Sequence, residues 1–175
     1  MKRFFALFLA VIAFAGIVSC SKPSDEGSDN ANITIDIANA GQKLLDGTDY
    51  QYKPEVLPAD AVSYFAGEQF KIDLNKVETK NGAPEMFVAI SVSSPETVVI
   101  IAAKDAASAK AISEGAIKDW LKVNIDGYSD YGPEQVPKLE SAINTVKGRY
   151  VFYVVSADNG TAKSVLDEIV KNASK

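Results

Sequence analysis

Tyr150-Val151-Phe152-Tyr153-Val154-Val155 and, 53 residues earlier, Val98-Val99-Ile100-Ile101 decide the fold. A strand with one wet face alternates apolar and polar residues, because successive side chains point to opposite sides. Neither run alternates. Both read as strands, rich in β-branched and aromatic residues, and each needs cover on both faces. Central positions in one sheet follow.

Working outward, each run has a partner strand close in sequence. Met86–Val92 precedes Thr97–Ala103 across Ser93-Ser94-Pro95-Glu96. Ala142–Val146 precedes Arg149–Ser156 across Lys147-Gly148, where glycine supplies the positive φ of a tight turn. A helix follows each hairpin. Asp105 caps the first, with Ala109, Ile112, Ala116, Ile117, Trp120 and Leu121 on its apolar stripe. The second carries Ala162, Val165, Leu166, Ile169 and Val170 at i, i+3, i+4, i+7, i+8. Under the 53-residue shift Val98–Ala103 falls on Val151–Ser156, Asp105 on Asp158, Ser108 on Thr161, and Lys110 on Lys163. The fold expected is α+β, a four-stranded antiparallel sheet from two ββα units (ββαββα) with both helices on one face. Residues 32–82 form a short-helix segment packed on the core. Asp36 caps one helix ending at Gly47, a second starts near Pro58, and Asp73 opens a further turn; this segment is expected to cover part of the other face. Residues 83–175 make the ββαββα core of the same domain.

The chain opens Met1-Lys2-Arg3, then runs uncharged from Phe4 to Val18 and ends Ile17-Val18-Ser19-Cys20. A basic start, a short apolar run and small residues at the end make an export signal over 1–19. The run is shorter than the roughly 20 residues a membrane-crossing helix needs. Its ending resembles the lipobox of bacterial lipoproteins, which implies cleavage after Ser19 and diacylglyceryl transfer to the Cys20 thiol. The bland reading of Cys20 is a buried thiol that happens to end an apolar run. Residues 20–31 contain no large apolar side chain and read as a lipid-anchored tether.

Of the 175 residues, loss of the first 19 leaves 156, and loss of Lys2 and Arg3 leaves 16 basic against 23 acidic residues, a net charge of −7. That balance argues against nucleic acid, whose phosphates are held by Lys and Arg. It also predicts mild repulsion from anionic lipid, so the partner of the bilayer is the Cys20 acyl anchor itself.

There is no histidine and a single cysteine. These counts exclude Ser-His-Asp and Cys-His catalysis and, with Cys20 blocked as a thioether, thiolate chemistry and thiolate metal sites. Ser108-Lys110 and Thr161-Lys163 leave a Ser–Lys dyad formally open, but hydroxyls three residues after an N-cap serve helix starts. No cofactor and no metal site is expected; Asp126 and Asp130 lack the further spaced oxygens calcium requires.

One stretch exceeds its structural needs: Asp126-Gly127-Tyr128-Ser129-Asp130-Tyr131-Gly132-Pro133-Glu134. Read as a loop between the two units, it offers Tyr128, Asp130 and Tyr131 as a partner-binding surface. The alternative is a loop pinned to the domain by its own tyrosines.

The strand into Lys104-Asp105, the segment Tyr131-Gly132-Pro133-Glu134-Gln135, and Lys147-Gly148-Arg149-Tyr150 through Asp158 resemble a family of small lipoproteins from Gram-positive, clostridia-type bacteria known only as a domain of unknown function. The resemblance spans Met86 to Lys171. It implies a lipoprotein on the outer face of the cytoplasmic membrane, or of the periplasm and outer membrane in a Gram-negative source, and brings no catalytic residues. The expectation is a non-enzymatic, extracytoplasmic module that binds a protein or envelope component. A cell-wall hydrolase or transferase with carboxylate or Ser–Lys chemistry, and a structural envelope-assembly protein, are the alternatives.

Overall fold

The computed structural model describes residues 33–173; Cys20, the export signal and the tether lie outside the described residues. Helix α1 (Ile37–Gly47) leads to a two-residue strand β1 (Glu55–Val56). Helix α2 (Ala59–Tyr64) continues through a wide π turn (Phe65–Gln69), and a 3-10 turn spans Leu74–Lys76. Strands β2 (Thr79–Lys80) and β3 (Ala83–Pro84) pair as a small separate ribbon. Then come β4 (Met86–Ile90), β5 (Thr97–Ala102), and one long helix made of α3 (Ala106–Ile112), a π turn (Ser113–Ile117) and α4 (Lys118–Tyr131). A 3-10 turn and α5 (Val136–Glu140), strands β6 (Ile143–Lys147) and β7 (Tyr150–Val155), and α6 (Asn159–Ala173) complete the fold.

The main sheet is antiparallel and five-stranded, in the order β1-β4-β5-β7-β6. Strands β5 and β7 lie side by side in its middle, with Thr97 opposite Val155 and Ala102 opposite Tyr150. Every residue of both is buried. Alternate residues feed two separate cores. Val98, Ile100, Ala102, Tyr150, Phe152 and Val154 face α1 and α6. Val99, Ile101, Val151, Tyr153 and Val155 face α2 and the α3–α4 helix. Two-sided apolar strands produce a three-layer arrangement, helices against both faces of one sheet.

The expected layout is corrected in three respects. The sheet has a fifth strand, β1, at its β4 edge. The two long helices pack on opposite faces, not on one. And residues 33–82 divide between the faces, with α1 beside α6 and α2 on the side of α3–α4. The hairpin–helix units also stand in an unexpected relation. From one to the other the strand direction reverses, the lateral order reverses and the helix changes face. Those three changes together amount to an inversion, which no rotation produces. The second unit is therefore the opposite-handed counterpart of the first and not a rotated copy of it.

Local signals place the helices. Asp36 Oδ1 accepts from the Asn39 N–H at 3.1 Å, and Asp105 Oδ1 from the Ser108 N–H at 2.6 Å. Asp158 accepts from the Thr161 N–H at 3.1 Å and its hydroxyl at 2.7 Å. These bonds to the charged form hold the Asp105 and Asp158 carboxyls below the usual range. Gly41 permits the close approach of α1 to the sheet, since a Cβ there would overlap the Phe87 ring. Positive φ at Gly148, +57°, makes the β6–β7 turn.

Candidate functional site

The apolar stripe of the long helix runs further than its sequence suggests. Ile117, Leu121, Ile125 and Tyr128 recur at four, four and three residues and all pack against the second core. Helix α4 therefore carries Tyr128, Asp130 and Tyr131 on its last turn, correcting the loop expected there. The helix stops where Gly132 leaves helical backbone, its N–H bonded to Tyr128 O at 2.9 Å, and Pro133 follows.

The two tyrosines differ. Tyr128 is half-buried against the core, and burial raises its hydroxyl pKa, with Tyr131 alongside adding to the rise. Tyr131 is 73% exposed, and its ring lies 5.0 Å from that of Tyr128 at 40°. Asp126, Asp130 and Glu134 are exposed around them. So the helix fixes one ring and displays the other, with carboxylates on either side.

A second polar feature was missed from sequence. Glu96, in the β4–β5 connection, is wholly inaccessible to solvent. Its carboxylate accepts from the Gln51 N–H at 2.8 Å, the Tyr52 N–H at 2.7 Å, the Ser94 hydroxyl at 3.0 Å and the Lys138 ammonium at 3.3 Å. Burial raises the Glu96 pKa, but the two backbone donors, Ser94 and Lys138 outweigh it and leave the group below its ordinary value. Lys138 also donates to Gln51 Oε1 at 2.8 Å, and Lys138 O accepts from Asn159 Nδ2 at 2.9 Å. Asn159 Oδ1 in turn accepts from the Ser156 N–H at 2.9 Å. The carboxylate thus ties the α1–β1 connection, the β4–β5 turn and α5 together, and the Lys138 carbonyl adds the start of α6. Its accepting capacity is committed to holding backbone, which makes it a clasp. The signal for it in sequence was slight, since Ser93-Ser94-Pro95-Glu96 is an ordinary turn composition.

Elsewhere the formal Ser–Lys pairs are engaged locally. Lys110 Nζ lies 3.8 Å from Glu114 and Lys163 Nζ 2.7 Å from Asp167, both one helical turn on. Trp120 packs its ring on Phe70, centroids 4.9 Å apart. Among the described residues no group of three or more His, Cys, Asp or Glu is arranged to hold a metal ion, and no helix is long and apolar enough to cross a membrane.

No curated protein and no solved structure matches the chain. A family model described as Domain of unknown function (DUF4358) matches residues 68–156, just over half of the chain. The match includes the displayed tyrosine, Glu96 with Ser94 and Lys138, and every strand from β2 to β7, while Gln51, Tyr52, α1 and α6 fall outside it. By that match the chain belongs to the DUF4358 family.

Proposed function

We propose that the protein is a lipid-anchored extracytoplasmic module that binds a protein or envelope component through the last turn of α4. The observation that carries the binding half is Tyr131, a large ring held 73% exposed on a rigid helix end against a half-buried partner ring. An aromatic displayed in this way brings contact area with little conformational entropy left to lose. The flanking carboxylates Asp126, Asp130 and Glu134 favour a partner rich in basic or amide groups. Support for the anchor is the Cys20 lipobox-like ending and the apolar run before it. A hydrolase or transferase built on Ser108 and Lys110 is the weaker reading, because the N-cap bond and the Glu114 pairing already give that helix start a structural use.

A photocrosslinking amino acid at position 131 tests the binding surface in intact cells. The expected result is a discrete adduct that is absent when the same group stands at position 64, where Tyr64 is 59% exposed elsewhere on the surface. Equal crosslinking from both positions, or none from 131, contradicts the proposal.

A further inference from the structure

The two edges of the main sheet are finished differently. At one edge β1 is two residues long, stands between Pro54 and Pro58, and carries Glu55. Short length, flanking prolines and a charge are the features by which a sheet edge refuses a further strand. The other edge, β6, lacks the first two. It is five residues long, contains no proline, and runs without a bulge from Ile143 opposite Val154 to Lys147 opposite Tyr150. Its one charge, Lys147, stands at the last position.

The turn decides which peptide groups of β6 face outward. Gly148 and Arg149 alone join the strands, so Lys147 and Tyr150 form a hydrogen-bonded pair, as do Thr145 with Phe152 and Ile143 with Val154. The N–H and C=O of Asn144 and Val146 therefore point away from β7, and no group among the described residues bonds to them. The Asn144 side chain does not turn back to cover them. It donates to Ser113 O at 2.9 Å and accepts from the Ser113 hydroxyl at 2.7 Å. On the α6 side an open cleft of about 430 Å³ lies beside the strand, lined by Ile143, Thr145 and Lys147 and, from α6, by Lys163 and Leu166.

We infer that β6 pairs with β6 of a second copy, antiparallel about a two-fold axis through Thr145, and makes one continuous sheet of the two. The strand is its own complement in that register. Asn144 of each copy stands opposite Val146 of the other, so the outward groups exchange N–H···O bonds, and the Thr145 side chains meet in a close cross-strand pair. Charge agrees. Lys147 of each copy comes to the Ile143 end of the other strand, where Glu140 closes α5. Among the described residues neither Glu140 nor Lys147 has an ion-pair partner in its own chain. Neighbouring charges are matched within their own helices, Lys163 with Asp167 at 2.7 Å and Lys110 with Glu114 at 3.8 Å. A foreign extended segment would meet the same peptide groups; the reciprocity of Lys147 and Glu140 is what selects a second copy. An axis normal to the sheet also keeps both α1–α6 layers on one face. Ile33 and Ile35 belong to that layer, so both chains enter from the same side and both proposed anchors can reach one membrane.

The chain from residue 20 onward with Cys20→Ser has neither thiol nor lipid, which separates the result from whether cells modify Cys20. Sedimentation equilibrium should show a concentration-dependent dimer. Val146→Pro removes an outward N–H and no bond to β7, and should weaken the dimer about tenfold. Lys147→Glu should weaken it about fivefold, and adding Glu140→Lys should restore it. Under mild oxidation Thr145→Cys should give a disulfide-linked dimer, whereas Val123→Cys, at a position 64% exposed on α4, should not. If thermal unfolding shows Val146→Pro to be unfolded, the charge exchange decides in its place. A chain that stays monomeric at every concentration, with or without an added extended peptide bound to it, overturns the inference. So does a dimer indifferent to the charge exchange, or equal disulfide formation from positions 145 and 123.

Discussion

The Glu96 carboxylate and the Lys138 ammonium meet at 3.3 Å, Glu96 fully buried and Lys138 only 18% exposed along its side chain. Two charges withdrawn from water lose hydration, and their attraction offsets that loss only when the remaining donors and acceptors are satisfied. Here two backbone N–H groups and a hydroxyl complete the set. The pair joins chain segments more than 40 residues apart, so its removal should loosen the whole Glu96 end at once.

Glu96→Gln should therefore destabilise the fold by about 3–5 kcal/mol, the usual consequence of leaving a buried charge without its partner. The amide keeps one accepting oxygen but presents N–H donors to groups that are themselves donors. Urea unfolding of both forms measures the difference, and an unchanged midpoint would show the pair to be dispensable.

The same carboxylate fixes a pH dependence. Its folded pKa is lowered, so the unfolded chain binds the proton more readily. Its contribution is complete above about pH 5, near the upper edge of an ordinary glutamate titration, and is lost as pH falls through the lowered folded value. Stability should thus fall on acidification in the native protein, and this part of the fall should be missing in Glu96→Gln. Thermal unfolding across the acid range reads both.

Gly41→Ala sets two effects against each other. An alanine inside a helix is favoured over glycine by about 1 kcal/mol. Against that, the new Cβ overlaps the Phe87 ring, and forcing α1 off the sheet costs about 1–3 kcal/mol. The clash should win, giving a modest net loss, with Gly41→Val clearly worse. A stabilised Gly41→Ala protein would mean that α1 approaches the sheet less closely than described.

The two tyrosines should separate by role. Tyr131→Ala should change stability by less than about 0.5 kcal/mol, as exposed substitutions do, while weakening partner capture. Tyr128→Ala removes a half-buried ring from the core beside Ile125 and should cost about 1–3 kcal/mol. Calorimetry on the two variants suffices, and equal losses would make the pair a structural pin.

What could be learned from the residues alone divides along physical lines. Strands β5 and β7 were legible because burial on two faces abolishes alternation, and that pattern also fixed them as central neighbours. Helix starts were legible at Asp36, Asp105 and Asp158 because capping is local chemistry. The face on which each helix packs was not legible. A stripe such as Ala162, Leu166 and Ile169 says that a helix buries one side, and is silent about which side of the sheet receives it. Strand β1 escaped notice because Glu55 and Val56 are both exposed and leave no apolar signal. Gly127, Gly132 and Pro133 gave the α4 terminus a loop-like composition, although Ile125 and Tyr128 continued the stripe. Glu96 was hidden for a different reason. Its backbone donors lie 44 and 45 residues away and Lys138 lies 42 away, and no local pattern announces a partner at that separation.

The proposed lipid anchor at Cys20 is tested most directly by the intact mass of the protein isolated from the membrane fraction of cells that express the full chain. Lipid anchoring predicts a chain that starts at Cys20, holds the remaining 156 residues and carries a diacylglyceryl group on that cysteine, with Cys20→Ala either uncut or released. A chain that retains residues 1–19, or one that begins beyond them with an unmodified Cys20 thiol and still partitions into the membrane, would contradict it.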